Sequence, residues 1–277
     1  MKNKIVILVI LVIILGGCIN ESKEEKIVVF AGAASKPALE KVSRIFEEKT
    51  GIGVELNFGV SESMLLQMKM AKKGDIYIPG YQDYMIKAKR ENIIYPETER
   101  VIAYLIPAIN VQSGNPKNIT SLNDLGREGI KVGICNPESC CVGRYAVEIL
   151  EYNNLTEKVK KNIITYAESC PKTASLVALD KVDAIIGWRA FGKWNPDDID
   201  IVYIEKERIP RISYISSAIS VYTKDKESAH KFIDFLVSED GRKIFAEYGY
   251  IADEDEARKY APNARIGGEY ELPREWK

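Results

Sequence analysis

Short apolar runs alternate along this chain with stretches in which hydrophobic residues recur every three or four positions. The first run, at residues 28–31, gives way to small residues and then to a helical stripe that includes Leu39 and Val42. Similar units follow at residues 54–71 and 130–150, each with a break between strand and helix. Strands that alternate with amphipathic helices predict an α/β protein with mainly parallel sheets covered by helices.

A longer apolar run at residues 101–111 departs from this pattern because Pro107 lies inside it. Proline cannot donate a hydrogen bond to a neighbouring strand, so the run does not fit a regular central strand. A chain that crosses from one sheet to another explains both the length and the break. The alternating run at residues 213–222 then serves as the return crossing.

The two crossings predict a clamp of two lobes, each a mainly parallel sheet with flanking helices, joined by two hinge segments. Charged and turn-forming residues dominate from position 253 onward, which predicts a loosely packed tail. Ligands of such sheets bind outside the carboxyl ends of the strands, so we expect a site in the cleft between the lobes. The expected bounds are residues 27–105 plus 214–277 for lobe 1 and residues 106–213 for lobe 2.

Composition and charge then narrow the function. The chain has 277 residues, is 46% hydrophobic and carries a formal net charge of −1, with both signs interspersed. No basic face is implied, so nucleic acid is not an expected partner.

The N-terminus has the pattern of an export signal followed by a membrane tether. Two lysines precede an apolar run at residues 5–15, which is too short for a membrane span of roughly 20 residues. The exit Leu15-Gly16-Gly17-Cys18 resembles the lipobox of exported lipoproteins. We expect residues 1–17 to be a signal peptide, Cys18 to carry the lipid, and residues 18–26 to tether the protein at the extracytoplasmic face of the cell membrane. An uncleaved anchor and plain secretion are the alternatives.

Four further cysteines lie in the middle of the chain: Cys135, Cys140, Cys141 and Cys170. An exported protein can oxidise them, and four cysteines allow three pairings between which sequence cannot choose. The C-x-x-C pairs typical of zinc sites are missing. We therefore expect one or two disulfides near the cleft, and neither a metal nor another cofactor.

Residues typical of enzyme active sites are few. The sole histidine, His230, falls on the polar side of a predicted helix. Ser169 and Lys172 match the S-x-x-K pattern of serine acyl-transfer enzymes, but the companion motifs are missing. Such a lysine would need a lowered pKa to act as a base. We expect a binding protein rather than an enzyme, with serine acyl transfer as the alternative.

Neutral donors at strand ends remain as candidate chemistry. Ser35 and Ser61 each follow a predicted strand where a helix begins. Helix N-termini carry unpaired N–H groups and a partial positive charge, so they can bind an anion. An ordinary capped turn is the alternative at either position.

Several short motifs together resemble the molybdate- and tungstate-binding family of ABC transporter substrate-binding proteins. One is Phe58-Gly59-Val60-Ser61, and the resemblance extends over nearly the whole chain after the export signal. It implies a monomer whose two α/β lobes close on a tetrahedral oxyanion and deliver it to a membrane permease. Sulfate and phosphate are the alternative anions. The remaining motifs lie at residues 29–35, 74–78, 136–146, 181–186 and 244–249.

The resemblance also implies five ligand contacts. Ser35 and Ser61 would each offer a hydroxyl and a backbone N–H, and Val142 and Cys170 would each offer a backbone N–H. Trp188 stands where a tyrosine completes some family sites. An indole N–H only donates, so a ligand contact here would favour a fully deprotonated anion over hydrogen phosphate. Trp188 as a packed strand residue is the alternative.

Overall fold

Two sheets with flanking helices form the frame of the protein in a computed structural model that describes residues 26–277. The strands are β1 (Lys26–Gly32), β2 (Gly53–Gly59), β3 (Ile76–Ile78), β4 (Arg100–Leu105), β5 (Pro107–Gln112), β6 (Val132–Cys135), β7 (Ile163–Ala167), β8 (Ala184–Trp188), β9 (Ile199–Tyr203), β10 (Arg211–Ile219) and β11 (Arg265–Ile266). The helices are α1 (Lys36–Thr50), α2 (Ser61–Ala71), α3 (Gln82–Arg90), α4 (Cys141–Tyr152), α5 (Thr156–Lys160), α6 (Cys170–Ala178), α7 (Phe191–Trp194), α8 (Lys226–Val237), α9 (Glu239–Glu247) and α10 (Glu254–Tyr260).

The first sheet has six strands in the order β11-β10-β3-β1-β2, with β4 paired to β10. Its central strand β1 runs parallel to β2 and β3, and α1 and α2 lie between these strands in the chain. The later strand β10 is antiparallel to β3 and β4. Because β1 to β3 are parallel, their carboxyl ends meet at one edge of this sheet.

The second sheet has five strands in the order β7-β6-β8-β5-β9. Here β6 is parallel to β7 and β8, whereas β5 is antiparallel to β8 and β9. Two α/β sheets of this kind confirm the predicted fold class. The bounds of the two lobes remain predictions.

The predicted outward crossing at Pro107 is confirmed. Strand β4 ends at Leu105 in the first sheet, and β5 begins at Pro107 in the second. Proline is tolerated at the first position of a strand, which explains its place in this apolar run. The return crossing was predicted too late in the chain, because β10 already lies wholly in the first sheet from Arg211 onward.

The C-terminal segment is packed, so the prediction of a loose tail is wrong. Ala257, Ala261, Leu272 and Trp276 are buried, in a cluster with β6 and α4 of the second sheet. The buried residue of α10 is Ala257, which is small and lies among charged residues, and this sparse pattern carries little hydrophobic signal.

The predicted signal peptide, the lipid on Cys18 and most of the tether lie outside the described residues. Between residues 26 and 277, no helix is long and apolar enough to cross a membrane.

Candidate functional site

A small cavity lies between the two sheets, at the carboxyl ends of five strands. The loops after β1, β2 and β3 form one wall, and the loops after β6 and β7 form the other. Ligand sites of open α/β sheets occupy this position. The lining residues are Ala33, Ala34, Gly59, Val60, Ser61, Gly80, Ser139, Cys140, Cys141, Glu168, Ser169 and Cys170.

Three α-helices begin at this cavity. The first residues of α2, α4 and α6 are Ser61, Cys141 and Cys170, and all three line it. A fourth approach comes from the 3-10 turn at Ala33–Ser35, which leads into α1. First-turn N–H groups have no partner inside their own helix, and each helix start carries a partial positive charge. The cavity therefore collects backbone donors from both sheets.

Glycines bring the loops of the first wall into close contact. A Cβ atom on Gly32 would lie 2.2 Å from the Gly80 nitrogen and 2.8 Å from the Ser61 Oγ. A Cβ atom on Gly80 would lie 3.1 Å from the Ala34 Cβ and 3.7 Å from the Cys141 Sγ. The backbone at these positions can approach a ligand closely because no side chain intervenes.

The Ser61 hydroxyl is held in place by the neighbouring loop. Its Oγ accepts a hydrogen bond of 2.9 Å from the Gly80 N–H, and its carbonyl oxygen accepts one of 2.8 Å from the buried Tyr77 hydroxyl. Val60 is the N-cap residue of α2, so Ser61 does not cap this helix. Since the Oγ lone pair is engaged by Gly80, the hydroxyl proton remains for a ligand.

Charge at the cavity is confined to one carboxylate. Among the described residues that line the cavity none is basic, and Glu168 is the acidic one. The Glu168 carboxylate is exposed and accepts a hydrogen bond from the Lys172 ammonium, which lowers the pKa of Glu168. This side chain is therefore an anion at neutral pH, and its partner, the Lys172 ammonium, is exposed to solvent.

Cysteines form the second wall. Cys135 and Cys140 are joined by a disulfide, which agrees with the expected one or two disulfides near the cleft. Cys141 and Cys170 are buried free thiols whose sulfur atoms lie 3.3 Å apart. The hydrogen bond with Cys170 and burial raise the pKa of Cys141 well above its ordinary value, so this group is a neutral thiol and a weak donor.

Two of the five predicted contact residues, Ser61 and Cys170, line the cavity. Ser35 does not: it is fully buried, and its hydroxyl donates a 2.9 Å hydrogen bond to the Gly32 carbonyl. Its neighbours Ala33 and Ala34 face the cavity instead.

The other two predicted residues, Val142 and Trp188, are not among the residues that line the cavity. Val142 is buried and follows Cys141 in the first turn of α4. Trp188 is fully buried, with its ring edge-on to Tyr145 at a centroid distance of 5.0 Å. Its indole N–H has no hydrogen-bond partner among the described residues, and it partly opposes the rise in the pKa of Cys141. Direct contact of these five residues with a ligand remains a prediction.

Sequence reasoning missed Gly80 and Ser139 as lining residues. Gly80 follows β3 after Pro79, so a small residue at a strand end was the available signal. Ser139 lies in the turn that brings Cys140 back to Cys135, where the Cys140 N–H donates to the Asn136 carbonyl at 2.9 Å. The sequence carries no comparable signal for this turn.

The S-x-x-K pair does not form a nucleophile with its base. Ser169 Oγ caps α6 and accepts from the backbone N–H of Lys172 at 3.4 Å. The Lys172 ammonium is turned toward solvent, where it pairs with Glu168. His230 lies exposed on α8, as predicted.

Residues 27–251 match the family model described as bacterial extracellular solute-binding protein. Two similar relatives are the putative ABC transporter substrate-binding lipoprotein YvgL of Bacillus subtilis, 24% identical over 84% of this chain and 89% of its own, and the molybdate-binding protein ModA of Rhodobacter capsulatus, 22% identical over 88% and 94%.

Solved structures share the fold. The periplasmic molybdate-binding protein of Azotobacter vinelandii has a TM-score of 0.72 at 18% identity, with coverage of 83% of this chain and 100% of its own. The sulfate-binding protein SubI of Mycobacterium tuberculosis has a TM-score of 0.72 at 16% identity, with coverage of 88% and 92%.

Proposed function

The chain belongs to the bacterial extracellular solute-binding protein family, and we propose that it captures molybdate or tungstate in the cavity between its sheets for delivery to an ABC transporter permease. The observation that carries this proposal is the convergence of the first turns of α2, α4 and α6 on a cavity without a basic side chain. Such a set of neutral donors is suited to an anion that is bound and released unchanged.

Backbone dipoles supply the binding energy. A hydrogen bond to a charged group contributes roughly 1.5–3 kcal/mol, so four to seven such bonds would hold a small dianion tightly. Fixed donors also replace water without a large rearrangement, because the glycine contacts and the Ser61 bonds already hold the loops. No cation has to be buried in the empty site.

The size and the donor character of the cavity support a small, fully deprotonated oxyanion. The cavity has about 20 Å³ of space for the centre of a water-sized sphere, so it is far smaller than pockets for drug-sized ligands. The oxygens of molybdate, tungstate or sulfate accept hydrogen bonds only. The relatives named for molybdate favour molybdate or tungstate within this class.

One observation favours hydrogen phosphate as a second candidate. The carboxylate of Glu168 is an acceptor at the cavity, and the O–H of hydrogen phosphate could donate to it. Replacement of Glu168 by glutamine separates the two candidates: affinity for a dianion without a proton should rise, whereas affinity for hydrogen phosphate should fall.

Isothermal titration of the protein with molybdate, tungstate, sulfate and phosphate tests the proposal. We expect one molybdate or tungstate per chain, with weaker binding of the other two anions. Failure to bind any of the four would contradict the oxyanion proposal.

The remaining proposals concern location and partners. We propose that Cys18 carries a lipid anchor at the extracytoplasmic face, in line with the lipoprotein relative, that the protein acts as a monomer, and that it catalyses no reaction. Replacement of Cys18 by alanine should move the protein from the membrane fraction to the soluble fraction. Retention in the membrane fraction would contradict a lipid anchor at this position.

A further inference from the structure

The two free thiols of the cavity wall lie closer together than ordinary packing requires. Cys141 Sγ and Cys170 Sγ are 3.3 Å apart, and a disulfide needs a separation of about 2.05 Å. Both residues begin a helix, α4 and α6, and both helices belong to the second sheet's side of the cavity. Bond formation therefore needs only a short local shift and no movement of one lobe against the other.

The surroundings of this pair also fit a reactive dithiol. Both thiols line the cavity, so a small oxidant that enters it can reach them. Both lie at helix N-termini, which favour the thiolate form. Burial and the hydrogen bond with Cys170 still raise the pKa of Cys141 overall, against the opposing effects of Val142 and Trp188, so the thiolate that starts the exchange is a minor form. Cys135 and Cys140 are already paired, so these two thiols are left as mutual partners among the described cysteines.

We propose that Cys141 and Cys170 form a redox-active dithiol that closes to a disulfide inside the cavity and weakens anion capture when it does. The disulfide chemistry stands on the sulfur geometry alone, whereas its effect on binding rests on the proposed function. The oxidant is a disulfide, either of a small molecule or of another protein.

The exchange is balanced. One cysteine thiolate attacks the oxidant RSSR, forms a mixed disulfide and releases one RS⁻, which takes up a proton. The second cysteine thiolate then displaces the other R–S group and closes the Cys141–Cys170 bond. Overall two cysteine thiols are oxidised and one RSSR is reduced to two RSH.

Closure changes the cavity in two ways. It draws the first turns of α4 and α6 toward each other, and it removes two S–H donors from the wall. Both changes disturb donors that were aimed at the anion. Because binding and oxidation are linked, a bound anion should in turn shift the equilibrium toward the reduced dithiol.

Peptide mapping tests the bond directly. Cleavage after lysine and arginine places Cys135, Cys140 and Cys141 on residues 132–144 and Cys170 on residues 162–172. After treatment with oxidised glutathione and alkylation of remaining thiols, we expect these two peptides to be joined. The existing Cys135–Cys140 bond cannot join them, because it lies within one peptide.

Cysteine substitutions identify which two residues form the bond. The double variant Cys135→Ser/Cys140→Ser should still give the joined peptides, and Cys141→Ser in that background should not. Cys170→Ser provides a second route to the same result if Cys141→Ser fails to fold. Absence of the joined peptides in both the unaltered protein and the double variant would overturn the proposal.

Affinity measurements test the consequence. In the double variant, only Cys141 and Cys170 remain to be oxidised among the described residues, so oxidation should lower molybdate affinity at least tenfold, and dithiothreitol should restore it. If the two peptides are joined and the molybdate affinity is unchanged, the proposed control of binding is overturned. If the reduced protein bound none of the four anions, the proposed function would fail, while the peptide map would still decide whether the dithiol exists.

Discussion

Helix α4 connects two polar regions, one with buried, paired charges and one lined mainly by uncharged hydrogen-bond donors. Its first residue, Cys141, lines the anion cavity, and two turns later Glu148 contacts the fully buried Arg211. Arg211 Nε donates to Glu148 Oε2 at 2.7 Å, and Arg211 Nη1 donates to the Gly268 carbonyl at 2.6 Å. Asp83 on α3 lies 3.5 Å from the same guanidinium. Permanent charges are paired here, whereas the cavity next to them is lined by neutral donors.

The difference follows from when each charge is present. The Arg211 guanidinium is charged at all times, so it needs fixed partners to offset the cost of burial. The anion is present only part of the time. A buried cation in the cavity would lack its partner whenever the site was empty, whereas N–H and O–H groups can be hydrated until the ligand arrives.

Removal of the buried cation should give the largest effect. Arg211→Met removes the buried cation and leaves Glu148 with Arg265, and Asp83 with Arg144 at 3.9 Å, as their remaining basic partners, so we expect a loss of about 3 kcal/mol in the free energy of unfolding. Urea denaturation followed by circular dichroism measures it. Arg90→Met is the matched control, since its pair with Glu269 is exposed and should be worth less than about 1 kcal/mol. Equal losses in the two variants would contradict the comparison.

The same cluster should give a pH dependence of stability. Burial raises the pKa of Asp83 to about 6, against the opposing effects of Arg211 and Arg144. The folded state therefore binds this proton more tightly than the unfolded state does, so the contribution of Asp83 to stability is present at pH 4 and is lost as the pH rises through 6.

Asp83→Asn isolates this contribution. Between pH 4 and 7 the unaltered protein should lose about 2 kcal/mol relative to the variant, measured by denaturation at both pH values. An unchanged difference between the two proteins across this range would show that Asp83 titrates normally.

Substitution of Ser61 tests the contribution of a neutral donor at the cavity. Ser61→Ala removes a hydroxyl that we propose as a donor to the anion, and loss of one charge-assisted hydrogen bond should weaken molybdate binding about tenfold or more. Calorimetric titration measures the change. Ser63→Ala, two residues later on the exposed face of α2, is the matched control and should bind normally. Unaltered affinity in Ser61→Ala would show that the anion lies elsewhere.

Ser35→Ala provides a second test of the cavity. The family resemblance predicts a similar tenfold loss, while the structure shows the Ser35 hydroxyl bonded to the Gly32 carbonyl. A tenfold loss would mean that this hydroxyl rotates toward the ligand on binding. Normal affinity would assign that loop's contribution to its backbone N–H groups.

The smallest effect should come from Glu168. Its carboxylate lies at the cavity and is exposed to solvent, so its repulsion of a dianion is strongly screened. Glu168→Gln should strengthen molybdate binding by about threefold, measured by titration at low salt, and the gain should shrink as salt is added. A weaker complex would contradict repulsion between the Glu168 carboxylate and the bound anion.

The sequence was sufficient for the architecture and for part of the site. Alternating strand and helix periods predicted the two α/β sheets, and Pro107 marked the outward crossing. Ser61 was found because a predicted helix begins there just after a strand, and Cys170 was found through the family resemblance. The orientation of Ser35 was not accessible, because the 3-10 turn at Ala33–Ser35 rotates its hydroxyl toward Gly32.

The cysteine pairing was beyond the sequence for a similar reason. Three pairings were equally compatible with the spacing, and the choice depends on the turn that brings Cys140 back over the end of β6. The packed C-terminus was missed because its buried residues are few and widely spaced among charged ones. In each case the missing information lies in how a loop turns, which hydrophobic periodicity does not encode.

A crystal structure with tungstate, located by its anomalous scattering, tests the neutral-donor site most directly. We predict one tungsten peak between Ser61, Gly80 and Cys170, with backbone N–H and hydroxyl groups around it and no lysine or arginine nitrogen within hydrogen-bond distance. A neighbouring larger cavity offers the contrast, since Lys87, Arg90 and Arg144 line it together with acidic residues. A tungsten peak at those basic side chains would contradict the account.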